Sequence, residues 1–259
     1  MLLAIDIGNT NVTVGVFDQR DLKATFRLST DTRKMPDEYA LSVSQLLPLR
    51  GLALSDIDDV AICSVVPPLT PSFIQMAKTY FDVDPLEVGS GTRTGISVRY
   101  DAPRDVGADR IVDAAAAFSI YGGPVIVVDV GTATVFDAVS ESGDYLGGAI
   151  APGISIAADS LFHTTAMLRR VELAPPPAAI GRNTIHALQA GLVFGYAELV
   201  KGMVTRFKGE LGQHSSVIAT GGLAEVVAGE SGVFDAIDPD LTLTGLRIVY
   251  ELNNGVRKK

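Results

Sequence analysis

The chain has 259 residues, 47% hydrophobic and 20% charged, enough to bury a sizeable core in one large domain or in two of about 100 to 150 residues. Its 30 acidic and 21 basic residues leave a net charge of -9, which argues against a nucleic-acid partner, because phosphate backbones are gripped by clustered Lys and Arg. The one cysteine, Cys63, excludes an internal disulfide or a cysteine metal cluster, and its place in an apolar run reads as inert core.

The N-terminal residues 1–5 run straight into Asp6 with neither a basic stretch nor a small-residue cleavage site. No apolar run approaches the roughly 18 residues that span a bilayer, so the expectation is a soluble, cytoplasmic chain with no membrane partner. In chain order, branched apolar residues predict strands at 2–5, 12–17, 23–28, 60–66, 125–128, 145–151 and 217–219. Helical spacing predicts helices at 37–47, 71–80, 109–121, 183–211, 222–229 and 241–253. Short apolar strands alternating with helices indicate an α/β protein whose strands are buried on both faces.

The helix at 183–211 is the most regular, with Ile185, Leu188, Leu192, Tyr196, Leu199, Met203 and Phe207 on one stripe. Ala187, Gly191 and Gly195 are four apart on a neighbouring face, and with Gly202 they invite close approach of another backbone, from the same subunit or from a second one. Residues 165–183, with Pro175-Pro176-Pro177, form the longest aperiodic stretch and read as a functional or mobile loop. The basic residues 256–259 read as a solvated end.

An internal repeat is the most informative feature. Leu2-Leu3-Ala4-Ile5-Asp6-Ile7-Gly8-Asn9-Thr10, followed by a second strand ending Phe17-Asp18, is echoed by Val125-Ile126-Val127-Val128-Asp129-Val130-Gly131-Thr132-Ala133, followed by Thr134-Val135-Phe136-Asp137. A third strand follows in both. Glycine in such a turn lets backbone approach an anion, successive amides with an Asn or Thr side chain bind phosphate oxygens, and the strand-end aspartate can hold Mg²⁺ directly or through water. Two such turns facing each other would clamp a polyphosphate. No Walker-type Gly-x-x-x-x-Gly-Lys-Ser/Thr segment exists, which disfavours the main competing nucleotide fold.

These paired turns resemble the phosphate loops of the actin-like ATPase superfamily, which includes sugar kinases, acetate kinase, actin and heat-shock chaperones. Five ordered segments are similar to type III pantothenate kinases: Asp6-Ile7-Gly8-Asn9-Thr10, Gly107-Ala108-Asp109-Arg110, Asp129-Val130-Gly131-Thr132-Ala133, the Gly-Gly-x-Ile-x-Pro-Gly stretch from Gly147 to Gly153, and Gly181-Arg182-Asn183-Thr184 opening the long helix. Val135 stands where family members often have a second Thr, and Arg169 where they often have Pro after Thr165-Ala166-Met167-Leu168.

The resemblance implies two related ribonuclease H-like (actin-like ATPase) domains, residues 1–117 and 118–259, each a mixed sheet flanked by helices, the second with a long dimer-forming helix. It implies ATP-dependent phosphorylation of pantothenate to 4′-phosphopantothenate, the first step of coenzyme A biosynthesis, by a cytoplasmic homodimer using Mg-ATP and a monovalent cation, potassium or ammonium.

The resemblance makes Asp109 the base that takes the proton of the acceptor hydroxyl. Read alone, Asp109 is equally a carboxylate stabilised by the N-terminus of its helix, and as such it should stay ionised. Arg110 would pair with the carboxylate of pantothenate; read alone it suits an ion pair with Asp113. Gly107 and Ala108 complete this substrate segment. Tyr100 matches a substrate-contacting tyrosine and is otherwise a strand-end aromatic, while Thr184 matches a substrate residue contributed across the dimer and is otherwise a helix cap. Asp6, Ile7, Gly8, Asn9, Thr10, Asn11, Val12, Thr13 and Thr132 match ATP-binding positions, and Asp129 the monovalent-cation site. Gly221 and Gly222, after the strand ending at Thr220, read as an adenosine-side turn, or otherwise as the glycines of any strand-to-helix turn. The alternatives are another small-molecule kinase of the same fold, or a nucleotide-binding regulatory protein without turnover.

Overall fold

The computed structural model describes residues 1–165 and 167–257, with side chains to residue 254. Ala166 and, from the basic tail, Lys258 and Lys259 lie outside the described residues. In chain order the elements are β1 (Leu2–Ile7), β2 (Asn11–Asp18), β3 (Asp21–Ser29), α1 (Pro36–Leu46), β4 (Asp59–Ser64), α2 (Thr70–Tyr80), β5 (Leu86–Glu87), β6 (Ser97–Val98) and α3 (Ala108–Tyr121). They continue with β7 (Val125–Val130), β8 (Ala133–Val139), β9 (Asp144–Pro152), α4 (Ile154–Thr164), α5 (Thr184–Gln189), α6 (Gly195–Leu211), β10 (Ser216–Thr220), α7 (Ala224–Ser231), β11 (Ala236–Ile237) and α8 (Leu241–Arg257). The chain packs into two compact units: residues 1–96 with 101–116 and the C-terminal segment from Leu241, and residues 97–100 with 117–240.

In the first unit the strand order is β3-β2-β1-β4-β5, with β1, β2 and β3 antiparallel and β4 and β5 added in parallel. In the second it is β11-β10-β7-β8-β9-β6. Here β7, β8 and β9 are antiparallel, and β10 and β11 are added in parallel on the other side of β7. Strand for strand, β9-β8-β7-β10-β11 repeats the first sheet, so the sequence repeat is a repeat of topology. β6 is the one added edge, parallel to β9.

Period-two alternation sorts the side chains of β1. Leu3, Ile5 and Ile7 enter a core with Tyr39 and Val43 of α1 and Phe73 and Met76 of α2. Leu2 and Ala4 face the opposite way, into a core with Ala61, Cys63, Val112 of α3, and Leu243, Leu246 and Val249 of α8. Full burial of each large aliphatic is worth about 1.5–3 kcal/mol, so both faces of the sheet are firmly held. α8, which the sequence division groups with the second half, returns to cover β1, β2 and β4. In the second unit Ile126, Val128, Val130 and Phe136 pack under Ala197, Val200 and Val204 of α6.

The long helix is not continuous. α5 and α6 are joined by a π turn over Ala190–Phe194, a local widening that the sequence stripe does not reveal. The sequence assigns no helix to α4, whose apolar residues are partly exposed: Ile156 is 47% and Leu161 37% accessible. No regular element occurs among the described residues between α4 and α5, as the aperiodic stretch predicts.

Candidate active site

The first Asp-x-Gly turn joins β1 to β2. The Gly8 amide donates to the Asn11 carbonyl at 3.0 Å. Thr30 pins the turn from beyond β3, its hydroxyl donating to the Gly8 carbonyl at 2.6 Å and its amide to the Thr10 carbonyl at 3.0 Å. Asn9, Thr10 and Asn11 are exposed, while Ile7 and Val12 are fully buried. Of the predicted nucleotide segment, Asn9, Thr10 and Asn11 thus reach the surface, Asp6 and Thr13 are half-buried, and Ile7 and Val12 can offer only backbone.

The alternation that buries Ile5 and Ile7 on one side turns Asp6 to the other, the face that α3 covers, where it pairs in register with Thr13 and Cys63. Asp109 lies in the first turn of α3. Burial pushes the Cys63 thiol well above its ordinary value, and the negative charges of Asp6, Asp109 and Asp113 push it in the same direction. The charges of all three carboxylates are thus felt at one buried, inert thiol.

Asp109 Oδ1 accepts from the Arg110 amide at 2.7 Å. Burial holds its carboxyl above the ordinary range, opposed by that amide and by the Arg110 charge. The helix N-terminus alone predicts an ionised group; desolvation outweighs it here and moves the group toward the range useful for a base. Gly107 is explained by the same contact, because a Cβ at this position would overlap the Asp109 carboxylate. The Gly-x-Asp-Arg spacing is thus steric: the glycine makes room for the acid two residues on.

The second turn joins β7 to β8, the Gly131 amide donating to the Ala133 carbonyl at 2.9 Å. Two other glycine turns press on it. At the start of α4, a Cβ on Gly153 would stand 2.6 Å from the Gly131 carbonyl oxygen and would overlap that of Thr132. After β10, Gly221 has φ +91°, and its Cβ would overlap the Asp129 carboxylate. The Leu223 amide donates to the Val130 carbonyl at 3.1 Å, closing this packing. Gly221, predicted as an adenosine-side turn, is therefore also the wall behind Asp129.

Tyr100 follows β6 and belongs with the second unit, 37% exposed. Thr184 opens α5 and is exposed, but the cap is Asn183, whose Oδ1 accepts from the His186 amide at 2.9 Å. The capping role that Thr184 would otherwise fill is thereby taken. In the first unit the structure sets Asp6 and Asp109 on the same face of the sheet; in the second, Asp129 and Thr132 sit at the turn between β7 and β8. Sequence reading overlooks Thr30, which follows no motif, and the packing duty of Gly153, although its Pro-Gly context marks a turn.

A family model described as "Type III pantothenate kinase" matches residues 2–206. A type III pantothenate kinase from Moorella thermoacetica is 51% identical over 253 residues, covering 98% of this chain and 100% of the relative. Among solved structures, a putative Baf family transcriptional activator from Campylobacter jejuni superposes with TM-score 0.60 at 22% identity, over 98% of this chain and 99% of that one. An inorganic polyphosphate/ATP-glucomannokinase from Arthrobacter sp. strain KM superposes with TM-score 0.53 at 15% identity, over 97% and 98%. At these identities the structures speak for the fold alone, and it is that of the actin-like ATPases. With the family model spanning most of the chain and half of all residues shared with a full-length relative, the chain belongs to the type III pantothenate kinase family.

Proposed function

We propose that the chain transfers the γ-phosphoryl group of Mg-ATP to the hydroxyl of pantothenate, giving 4′-phosphopantothenate, the first step of coenzyme A synthesis. The observation that supports this most is the repeated strand, Asp-x-Gly turn, strand topology in both sheets, with Asp109 over the same sheet face as Asp6. Relatives that share half of its residues bear the same activity in their names.

In this reading Asp6, Ile7, Gly8, Asn9, Thr10, Asn11, Val12 and Thr13, with Thr132, bind the nucleotide phosphates through turn amides and exposed polar side chains. Asp109 accepts the hydroxyl proton as the phosphoryl group moves, and Arg110 pairs with the pantothenate carboxylate through its planar fork. Gly107 and Ala108 shape that segment, and Tyr100 and Thr184 contact the acceptor. ATP and pantothenate place the reaction in the cytoplasm.

Among the described residues no three His, Cys, Asp or Glu side chains converge as a metal cage. That suits Mg²⁺, which keeps its waters and is bound mainly through substrate phosphates and one or two carboxylates, here Asp6. Asp129, walled by Gly131 and Gly221, is the group we assign to a potassium or ammonium ion. A cation there neutralises charge that would otherwise repel polyphosphate.

We also propose a homodimer through the long helix. An open apolar groove of about 620 Å³ lies between α4 and this helix, lined by Ile156, Leu161, Leu188, Leu192 and Tyr196 among others. Among the described residues nothing approaches within 4 Å of a Cβ built at Gly191, Gly195 or Gly202, so no helix of this chain uses the small-residue face. A second copy fits both features.

The test is ADP release with Mg-ATP and pantothenate, with and without potassium, against a sugar and a short carboxylic acid as acceptors. Potassium-dependent turnover restricted to pantothenate supports the reading. ATP binding with no pantothenate turnover overturns it.

A further inference from the structure

The Phe-Asp pair that recurs in the sequence does not recur in register: Phe136 stands opposite Val128 as Val14 does opposite Ile5, so Gly15, not Asp18, holds the place of Asp137 in the first sheet. Asp18 ends β2 in solvent, whereas Asp137 is only 3% exposed in β8. The duplicated topology does not require a buried carboxylate, and such a group is costly unless it is hydrogen-bonded. Asp137 Oδ1 accepts from the hydroxyl of Tyr145 at 2.7 Å, and the Tyr145 side chain is itself fully buried.

Tyr145 underlies Tyr100. Their ring centroids are 6.4 Å apart at 50°. The Arg99 amide donates to the Tyr145 carbonyl at 2.9 Å, and the Arg99 side chain pairs with Asp144 at 2.9 Å. β9 is bulged here: Tyr145 stands opposite Val139 and Gly147 opposite Ala138, so Leu146 is an extra residue. Bulges re-aim side chains beside functional sites. On the far side of the bulge, Gly147 at φ +109° leaves room for the Tyr100 ring, whose atoms would lie 3.0 and 3.1 Å from a Cβ there.

The geometry points to Asp137 and Tyr145 as positioning residues for the acceptor: the buried hydrogen bond fixes the Tyr145 ring, and that ring sets where Tyr100 meets pantothenate. This inference rests on the reading of Tyr100 as an acceptor contact. An unanchored Tyr145 ring would let Tyr100 wander, and small misplacements of a substrate-positioning group weaken its contribution several-fold or more.

The experiment is steady-state kinetics of the full chain for wild type, Tyr145→Phe, Asp137→Asn and Tyr100→Ala. Tyr145→Phe keeps the ring and removes only the oxygen. It is expected to raise KM for pantothenate about fivefold with KM for ATP unchanged, while Asp137→Asn, which retains an acceptor oxygen, stays within about twofold. Tyr100→Ala raises the pantothenate KM at least as much. If Tyr100→Ala raises it and Tyr145→Phe does not, the positioning role is overturned. Equal rises in both KM values, or a lower kcat with both unchanged, mean a structural role and overturn it too. An unchanged pantothenate KM in Tyr100→Ala refutes the reading of Tyr100, and this inference with it.

Discussion

Gly221 and Asp129 share one space: a Cβ at position 221 would overlap the Asp129 carboxylate and stand 2.6 Å from the Val130 carbonyl carbon. The turn after β10 is thus built into the second Asp-x-Gly turn. Gly221→Ala must relieve both the overlap and a left-handed φ of +91°. It is expected to cost about 1–3 kcal/mol in urea denaturation and to raise the potassium concentration needed for half-maximal activity. Wild-type stability would refute this packing account.

Asp109→Asn separates chemistry from folding. Loss of the base should lower kcat by about 10²- to 10⁴-fold. Because burial raises the folded pKa of Asp109, its charged form is penalised in the folded state. That penalty is present above the folded pKa and fades as pH falls through it. Asparagine carries no such penalty, so at pH 7 the variant should melt at or above the wild-type temperature. A large fall in Tm would mean that the carboxylate stabilises the fold instead.

The same shift sets a pH profile. The base works ionised, so the acid limb of kcat/KM for pantothenate should lie above the ordinary carboxylate range. The Arg110 charge holds the Asp109 pKa down, and Arg110→Ala should move the limb to still higher pH while raising the pantothenate KM. A limb that stays put or moves lower in this variant contradicts the assignment of that limb to Asp109.

The open face of the long helix gives a test of assembly. A side chain at Gly195 meets nothing within 4 Å in the chain itself. Gly195→Arg should therefore leave the fold intact and gain about 1 kcal/mol of helix propensity. Sedimentation should show a dimer for wild type and a monomer for the variant; a dimer in both would move the interface elsewhere.

The two phosphate turns are legible in the sequence because each is local: an apolar strand, Asp-x-Gly, a polar residue and a second strand leave a signature within about fifteen residues. The role of Gly107 follows from its neighbour two places on. What the sequence hides is long-range. Nothing in residues 241–257 says that Leu243 and Leu246 will cover Leu2 and Ala4 rather than the nearer β10, because an amphipathic stripe specifies a face without naming its partner. Asp18 and Asp137 both follow a Phe, but Asp18 is the last residue of β2 whereas Asp137 lies inside β8, where the register gives it the place of Gly15, and the dipeptide alone does not reveal that difference. The π turn at Ala190–Phe194 leaves the apolar spacing intact and so escapes notice.

The central claim is that Asp109 activates the hydroxyl of pantothenate for attack on ATP. The most direct measurement is the mass spectrum of the product formed from pantothenate and Mg-ATP by wild type and by Asp109→Asn at equal folded concentration. The account predicts phosphopantothenate from wild type and a loss of at least about 100-fold in the variant. Comparable product from both proteins, or none from wild type in the presence of potassium, would contradict it.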